Sequence, residues 1–238
     1  MLELRDLVKH YRVGSGEPIR AVDGVSLRVG AGELVALYGP SGSGKTTLLQ
    51  LIDGTLRPDS GRVLVAGRDV LAMSSREADD YRLRLLGVIG QPYNLIPGAR
   101  AIENASLKLL LTHGRRRGMP IVEDLLAQLG LGERMWHRTD ELSMGERQRV
   151  LIAMALATDP RLVLADEPTG NLDTRLTRQV LGQLRGLCVR RGAALLLVTH
   201  DPLALGFADE VHELHDGRLR EYSPDNVLVA PGSLRGGA

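Results

Sequence analysis

GPSGSGKTT, residues 39–47, follows the continuous apolar stretch ELVALY, residues 33–38, and precedes a helix-forming region that begins at about Lys45. The stretch fits the pattern G-x-x-x-x-G-K-[ST]. The fixed positions of the pattern are Gly39, Gly44, Lys45 and Thr46. Glycines at such a turn let backbone N–H groups surround phosphate oxygens, and the N-terminus of the following helix favours an anion. The sequence therefore predicts a buried strand, a phosphate-binding loop and a helix, in that order.

This loop predicts a ligand with β- and γ-phosphates, and Mg²⁺ as its metal. Lys45 would reach these phosphates, and the hydroxyl of Thr46 would bind Mg²⁺. The whole loop is a candidate for contact with the nucleotide. Its residues are Gly39, Pro40, Ser41, Gly42, Ser43, Gly44, Lys45, Thr46 and Thr47.

Two carboxylates follow a second apolar stretch, in RLVLADEPTG, residues 161–170. Asp166 is suited to hold Mg²⁺ through water, and Glu167 to orient and deprotonate an attacking water. A general base of this kind contributes about 10²- to 10⁴-fold in rate. The structural alternative is a charge pair at the N-terminus of a helix.

Short apolar strands alternate with helical stretches along the chain, which predicts an α/β fold. Strand signals recur at residues 2–10, 25–29, 33–38, 61–65, 86–90, 161–165 and 193–199. Between about 92 and 160 helical patterns replace strands, which predicts an inserted helical subdomain. Within it, the basic run at 115–117 is expected to be a solvated turn rather than a lipid or partner contact. Residues 223–238, with their Gly and Pro residues, are expected to form a loose tail.

Composition excludes several classes of function. Lys and Arg number 30 against 29 Asp and Glu, which gives no sign of a nucleic-acid partner. The single cysteine, Cys188, excludes an intrachain disulfide and suits a reducing compartment. No apolar run approaches the roughly 18 residues that span a bilayer, so we expect a soluble chain without direct membrane insertion.

These motifs resemble, over nearly the whole chain, the nucleotide-binding subunits of ABC transporters. Seven motifs of that family occur here in order, and the ordered set is highly specific. They are the adenine-stacking aromatic at Tyr11, Walker A at GPSGSGKT, the Q-loop glutamine at Gln91, the signature at LSMGERQR, Walker B at LVLADEP, the D-loop aspartate at Asp173 and the switch histidine at His200.

The resemblance implies a P-loop NTPase core with an antiparallel β subdomain and an inserted helical subdomain. It also implies that two subunits enclose two ATP molecules head to tail. Ser143 and the backbone N–H of Gly145 would then contact the γ-phosphate that the other subunit holds. Gln91 would act as a catalytic and Mg²⁺-binding residue, His200 as a catalytic residue and Asp173 as an interface residue.

Several of these positions have structural alternatives. Tyr11 could be a core residue at a strand end, Gln91 a surface amide, and His200 an ordinary loop residue. Asp173 could cap a helix as well as line an interface. Ser143 and Glu146 have the spacing of a capping box, which is compatible with a phosphate site at the same helix end.

The sequence departs from the family pattern at three positions. Met144 and Glu146 stand where the signature usually has Gly and Gln, and Gly90 replaces the usual aromatic before Gln91. His212 and His215 are expected to be structural, because residues three apart on a strand face opposite sides.

The resemblance implies an ATP-hydrolysing domain at residues 2–222 that dimerises on ATP, with a second copy or with a different ATP-binding subunit. It would drive a separate integral membrane permease from the cytoplasmic face of the cell membrane. YNLIPGARAIEN and ADEPTGNLD resemble the group with lipoprotein-releasing, macrolide-efflux and peptide-export ATPases. The alternative is a regulatory ABC ATPase that transmits mechanical signals to a membrane or cell-wall partner without moving a solute.

Overall fold

The computed structural model describes residues 1–12, 17–90, 95–170 and 172–223. A six-stranded sheet forms its centre, in the order β10-β9-β3-β8-β7-β6. Five of these strands are parallel, and β10 pairs antiparallel with β9. The strands are β3 (Leu34–Tyr38), β6 (Leu86–Ile89), β7 (Leu162–Asp166), β8 (Ala194–Thr199), β9 (Glu210–His215) and β10 (Arg218–Glu221).

A second, antiparallel sheet packs against one face of the first, in the order β2-β1-β4-β5. Its strands are β1 (Leu2–Tyr11), β2 (Ile19–Val29), β4 (Ser60–Val65) and β5 (Arg68–Asp69). The strand predicted at 25–29 begins six residues earlier, because β2 continues its pairing with β1 as far as Ile19 opposite Tyr11. The predicted strand ranges do not include β5, β9 and β10, although His212 and His215 were expected to lie on a strand.

Six α-helices connect and cover the sheets in the described ranges. They are α1 (Lys45–Ile52), α2 (Ser75–Asp80), α3 (Ala101–Gln128), α4 (Met144–Leu156), α5 (Thr174–Arg191) and α6 (Pro202–Leu205). Helix α3 consists of two helical segments that meet in a kink at Gly114, whose φ of 69° and ψ of 165° are non-helical. The solvated turn predicted at 115–117 is therefore displaced: the chain turns at Gly114, and the three arginines, which are exposed as predicted, begin the second segment. Arginine is a good helix former, so the helix resumes directly after the kink.

The central sheet is buried on both faces, which explains its continuous apolar strands. Alternate residues of one strand point into different cores: Val163 and Ala165 pack with helices α3, α4 and α5, whereas Leu162 and Leu164 pack with the antiparallel sheet and α1. The predicted α/β class, with an antiparallel sheet and a helical insertion, is confirmed. Along the described parts of the chain, no helix is both long and apolar enough to cross a membrane.

Candidate nucleotide site

The loop of residues 39–44 leads from β3 directly into α1, as predicted. The Lys45 side chain folds back over it, and Nζ donates hydrogen bonds to the carbonyl oxygens of Gly39 at 2.7 Å and Pro40 at 2.8 Å. Lys45 is only 8% exposed. Burial lowers the pKa of its ammonium group, and the carboxylates of Glu167 and Asp166 oppose that shift. The loop therefore holds one buried positive charge at its centre.

Gly44 is required by the geometry of the loop. Its φ is 103°, in the left-handed region that favours glycine, and it immediately precedes the first residue of α1. A Cβ atom at this position would lie 1.9 Å from the carbonyl oxygen of Ala21 on β2. The antiparallel sheet thus packs against the loop so closely that no side chain fits between them.

A cavity of about 610 Å³ lies over the loop. Predicted site residues from three separate parts of the chain line it. They are Tyr11, Ser41, Gly42, Gly44, Lys45, Thr46, Thr47, Asp166 and Glu167. Gly39 and Pro40 support it from behind through their hydrogen bonds with Lys45. Ser43 is 4% exposed, and its carbonyl oxygen accepts a hydrogen bond from the N–H of Gly217, in the β9–β10 turn.

Oxygen ligands suitable for a magnesium ion meet at one side of the cavity. The hydroxyl of Thr46 donates a hydrogen bond to Oδ2 of Asp166 at 3.3 Å. Burial raises the pKa of the Asp166 carboxyl, and the hydrogen bond from Thr46 partly opposes this. One carboxylate and one hydroxyl fit Mg²⁺, which binds few protein oxygens and completes its shell with phosphate oxygens and water.

Glu167 lies just beyond the end of β7, beside the residues that follow the neighbouring strand β8. His200 Nδ1 is 2.6 Å from Glu167 Oε1. The hydroxyl of Thr199 donates to Glu167 Oε2 at 3.0 Å. Glu167 also has a positive φ of 46°, which L-residues rarely adopt. The side chain is 17% exposed, so its carboxylate is held firmly at the edge of the cavity.

The signature helix, α4, begins as the sequence predicted. Ser143 Oγ donates to Glu146 Oε2 at 2.8 Å, and the Ser143 backbone N–H donates to the same oxygen at 2.8 Å. With the N–H of Glu146 and Ser143 Oγ 3.4 Å apart, they form a capping box. The Ser143 hydroxyl lowers the pKa of Glu146 by stabilising its anion. The first helical residue, Met144, leaves 47% of its surface exposed.

Gly145 is not required by the fold of the single chain. A Cβ atom here would meet the two Leu176 methyl groups at 3.4 Å, at the edge of ordinary contact. Neither Ser143 nor Gly145 lines the cavity over residues 39–44. Within one chain, the signature helix therefore does not contribute to the phosphate loop's cavity.

The remaining predicted residues occupy different environments. Tyr11 ends β1, is 36% exposed and lines the cavity, so the alternative of a core residue was wrong. Asp173 caps α5 by accepting from the Leu176 N–H at 2.8 Å, as one alternative predicted. Gln91 lies outside the described residues. His212 and His215 both lie on β9, as expected.

Sequence reasoning missed two groups of residues. Ile19, Arg20 and Ala21 of β2 and Asp216 in the β9–β10 turn line the cavity without belonging to any motif. Thr199 contacts Glu167, although only its position beside His200 in the sequence could have suggested this.

A family model and several known proteins are similar to this chain. A family model described as "ABC transporter" matches residues 22–170. The chain is 45% identical over 227 residues to the lipoprotein-releasing system ATP-binding protein LolD of Anaeromyxobacter dehalogenans, covering 94% of both chains. It is 41% identical over 224 residues to the macrolide export ATP-binding/permease protein MacB of Rhodopirellula baltica, covering 93% of this chain and 33% of that protein.

Solved structures give the same result for the fold. The dimeric structure of MJ0796, a bacterial ABC transporter cassette, superposes with a TM-score of 0.84 at 32% identity and covers 93% of this chain and 97% of that one. A dimeric post-hydrolysis state of the MJ0796 ATP-binding cassette bound to ADP and Pi superposes with a TM-score of 0.82 at 32% identity, covering 93% and 98%.

Proposed function

The chain belongs to the ABC transporter family as an ATP-binding cassette, and from that membership we propose that it binds ATP over residues 39–47, dimerises on it and drives a separate membrane permease by hydrolysing it. The observation that carries this proposal is the convergence of Lys45, Asp166 and Glu167 on one cavity. We assign the cassette to residues 2–222, with a helical part at about 92–160. The tail predicted at 223–238 lies, after Ser223, outside the described residues.

ATP binding follows from the charge and shape of the cavity. Lys45 supplies a buried positive charge, and its Nζ donates hydrogen bonds to the backbone carbonyl oxygens of Gly39 and Pro40. Phosphate oxygens would replace those carbonyls and form charge-assisted hydrogen bonds. Tyr11, which lines the same cavity, offers an exposed ring on which adenine would stack.

Mg²⁺ would be held by Thr46 and Asp166, with Gln91 as a further ligand. When bound, the ion would neutralise charge on the β- and γ-phosphates. Asp166 serves this role because it ends a buried strand, so its carboxylate is fixed in place before nucleotide arrives. Ionisation of Asp166, which burial opposes, would become favourable beside the cation.

Hydrolysis would proceed by in-line attack of water on the γ-phosphate. Glu167 would accept the proton of that water, while His200 and Thr199 contact the two oxygens of its carboxylate. A carboxylate so held presents its remaining lone pairs in a fixed direction, which is the condition for an efficient general base.

A second subunit would complete each ATP site. Ser143 and Gly145 do not line the cavity of their own chain. Ser143 is nevertheless exposed at the N-terminus of α4, a helix end suited to an anion, and Gly145 is buried in the first turn. The γ-phosphate held by one subunit would meet this helix end on the other, with Asp173 at the interface. The second subunit is another copy of this chain or a different ATP-binding subunit.

The transporter that this chain drives is of the lipoprotein-releasing or efflux type. Relatives named for lipoprotein release align along 93% and 94% of their own length, and a relative named for macrolide export aligns along its ATP-binding part. The names of these relatives support export driven through a permease. We infer that the chain binds this permease at the cytoplasmic face of the membrane. These names do not favour the regulatory alternative.

Steady-state phosphate release by the full chain with MgATP tests the proposal. We expect the unmodified chain to hydrolyse ATP and Glu167→Gln to lose about 10²- to 10⁴-fold of the rate, because an amide cannot accept the water proton. The matched control is Glu221→Gln, the same change at an exposed residue of β10, which should leave the rate unchanged. Hydrolysis by Glu167→Gln within about tenfold of the unmodified chain would contradict the role of this carboxylate.

A further inference from the structure

Thr199 is a buried polar residue at the edge of the nucleotide site. It ends β8, immediately before His200, and is 1% exposed. Its hydroxyl makes two hydrogen bonds, donating to Glu167 Oε2 at 3.0 Å and accepting from the backbone N–H of Asp201 at 3.0 Å. A hydroxyl has one proton to donate. Because the N–H of Asp201 occupies an acceptor position, that proton is directed at the glutamate.

The N–H of Asp201 is itself held in place. The Asp201 side chain accepts a hydrogen bond from the N–H of Leu203 at 2.9 Å and caps the short helix α6. The backbone of Thr199 is fixed within the parallel sheet by its pairing with Tyr38 of β3. The hydroxyl is therefore oriented from two sides before any nucleotide binds.

Glu167 needs such support because its backbone is strained. Its φ of 46° lies in the left-handed region, and its N–H is bonded to the carbonyl oxygen of Val198 at 2.9 Å. The backbone thus starts the side chain in an unusual direction, while His200 contacts only one carboxylate oxygen, Oε1. A hydrogen bond on Oε2 from a buried donor fixes the rotation of the carboxylate plane.

We propose that Thr199 is a positioning residue for the general base, acting through Glu167 without touching nucleotide. This role rests on the proposed function, in which Glu167 accepts the water proton. The hydroxyl fixes the orientation of the carboxylate, and its methyl group fills space in the sheet. Loss of the hydroxyl alone would slow hydrolysis and leave ATP binding intact, because the phosphate loop is untouched.

Three variants of the full chain test this by steady-state phosphate release over a range of MgATP concentrations. Thr199→Val has nearly the same shape and lacks the hydroxyl, and Thr199→Ser keeps the hydroxyl and lacks the methyl. The matched control is Thr158→Val, because Thr158 is buried and its hydroxyl has no hydrogen-bond partner among the described residues.

We expect kcat of Thr199→Val to fall by about 10- to 100-fold, because the variant loses one hydrogen bond to the charged carboxylate of Glu167. The KM for ATP should change by less than about twofold. Thr199→Ser should recover most of kcat, and Thr158→Val should match the unmodified chain. Three outcomes would overturn the role: unchanged kcat in Thr199→Val, a Thr199→Ser variant as slow as Thr199→Val, or a KM that rises in parallel.

These outcomes are distinct from a failure of the proposed function. If the unmodified chain does not hydrolyse ATP, the proposed function is wrong and this role falls with it. If the unmodified chain hydrolyses ATP and Glu167→Gln does not, the function stands, and the three variants decide the role of Thr199 alone.

Discussion

His200 and Glu167 are in direct contact, with Nδ1 of the imidazole 2.6 Å from Oε1 of the carboxylate. They follow the ends of the neighbouring parallel strands β8 and β7, in which Val198 is paired with Asp166. The His200 side chain is 63% exposed, whereas the Glu167 side chain is 17% exposed. An exposed histidine thus contacts a largely buried carboxylate.

Removing this imidazole should slow the reaction without weakening nucleotide binding. We expect His200→Ala to lower kcat by about 10- to 100-fold, because the charged carboxylate of Glu167 loses one of its hydrogen bonds. ATP affinity, measured by isothermal titration, should stay close to that of the unmodified chain. His113→Ala, at an exposed position of α3, is the control. An unchanged kcat in His200→Ala would show that the contact has no role in turnover.

Lys45→Ala should abolish tight ATP binding. The variant loses the buried ammonium group at the centre of the loop, and charge-assisted contacts of this kind contribute roughly 1.5–3 kcal/mol each. We expect the affinity for MgATP, measured by isothermal titration, to be about 10- to 100-fold weaker or to fall further. Arg57→Ala removes a positive charge from an exposed position and should bind normally. Unchanged affinity in Lys45→Ala would rule out residues 39–47 as the nucleotide site.

Gly145→Ala should have opposite effects on the stability of the single chain and on the strength of the ATP-held dimer. A methyl group fits beside Leu176, and replacing a helical glycine by alanine stabilises by roughly 0.5–1 kcal/mol. Thermal unfolding should therefore move up by about 1–4 °C. In the hydrolysis-deficient Glu167→Gln background, the ATP-held dimer should weaken. A dimer as strong as that of Glu167→Gln alone would show that no phosphate approaches this glycine.

Cys188 should be inert in the folded chain. It is 2% exposed, and burial raises the pKa of its thiol to about 12. At pH 8 the thiolate is scarce and shielded, so reaction with a chromogenic disulfide reagent should be at least about 100-fold slower than in urea. Because the chain has a single cysteine, the signal reports this site alone. Fast labelling under native conditions would contradict the packing of α5.

The parts of the fold that follow local sequence rules could be predicted. Apolar runs identified four of the five parallel strands, and the glycine spacing around Lys45 located the phosphate loop. The fifth parallel strand, β9, has the mainly polar sequence EVHELH and lacks this signal. Strand β10 escaped because Arg218–Glu221 is mostly polar and forms by backbone pairing with β9 at the sheet edge. Pairing across the sheet also determined the early start of β2 at Ile19.

The candidate site was predicted where one motif carries its own chemistry, as at Asp166 and Glu167. Contacts that depend on how strands lie together could not be predicted. The hydroxyl of Thr199 reaches Glu167 because β7 and β8 are neighbours, although 32 residues separate them in the chain. Arg20 and Asp216 join the cavity for a similar reason, from the second sheet and from a turn.

In the proposed dimer, Ser143 acts on ATP held by another subunit. Size-exclusion chromatography of Glu167→Gln, with and without ATP, tests this contact between subunits. Three chains are compared: Glu167→Gln alone, Glu167→Gln with Ser143→Arg, and Glu167→Gln with Ser74→Arg. Ser74 is a matched control because it forms the same capping box with Glu77 at the N-terminus of α2.

We predict that all three chains bind ATP with similar affinity in isothermal titration and are monomers without it. With ATP, Glu167→Gln and its Ser74→Arg derivative should elute as dimers. The Ser143→Arg derivative should remain a monomer, because it loses a charge-assisted contact of about 1.5–3 kcal/mol at each site and gains a bulky cation there. Two results would contradict the contact of Ser143 with ATP in the other subunit. One is an ATP-held dimer of the Ser143→Arg derivative, and the other is a loss of its ATP affinity as large as that caused by Lys45→Ala.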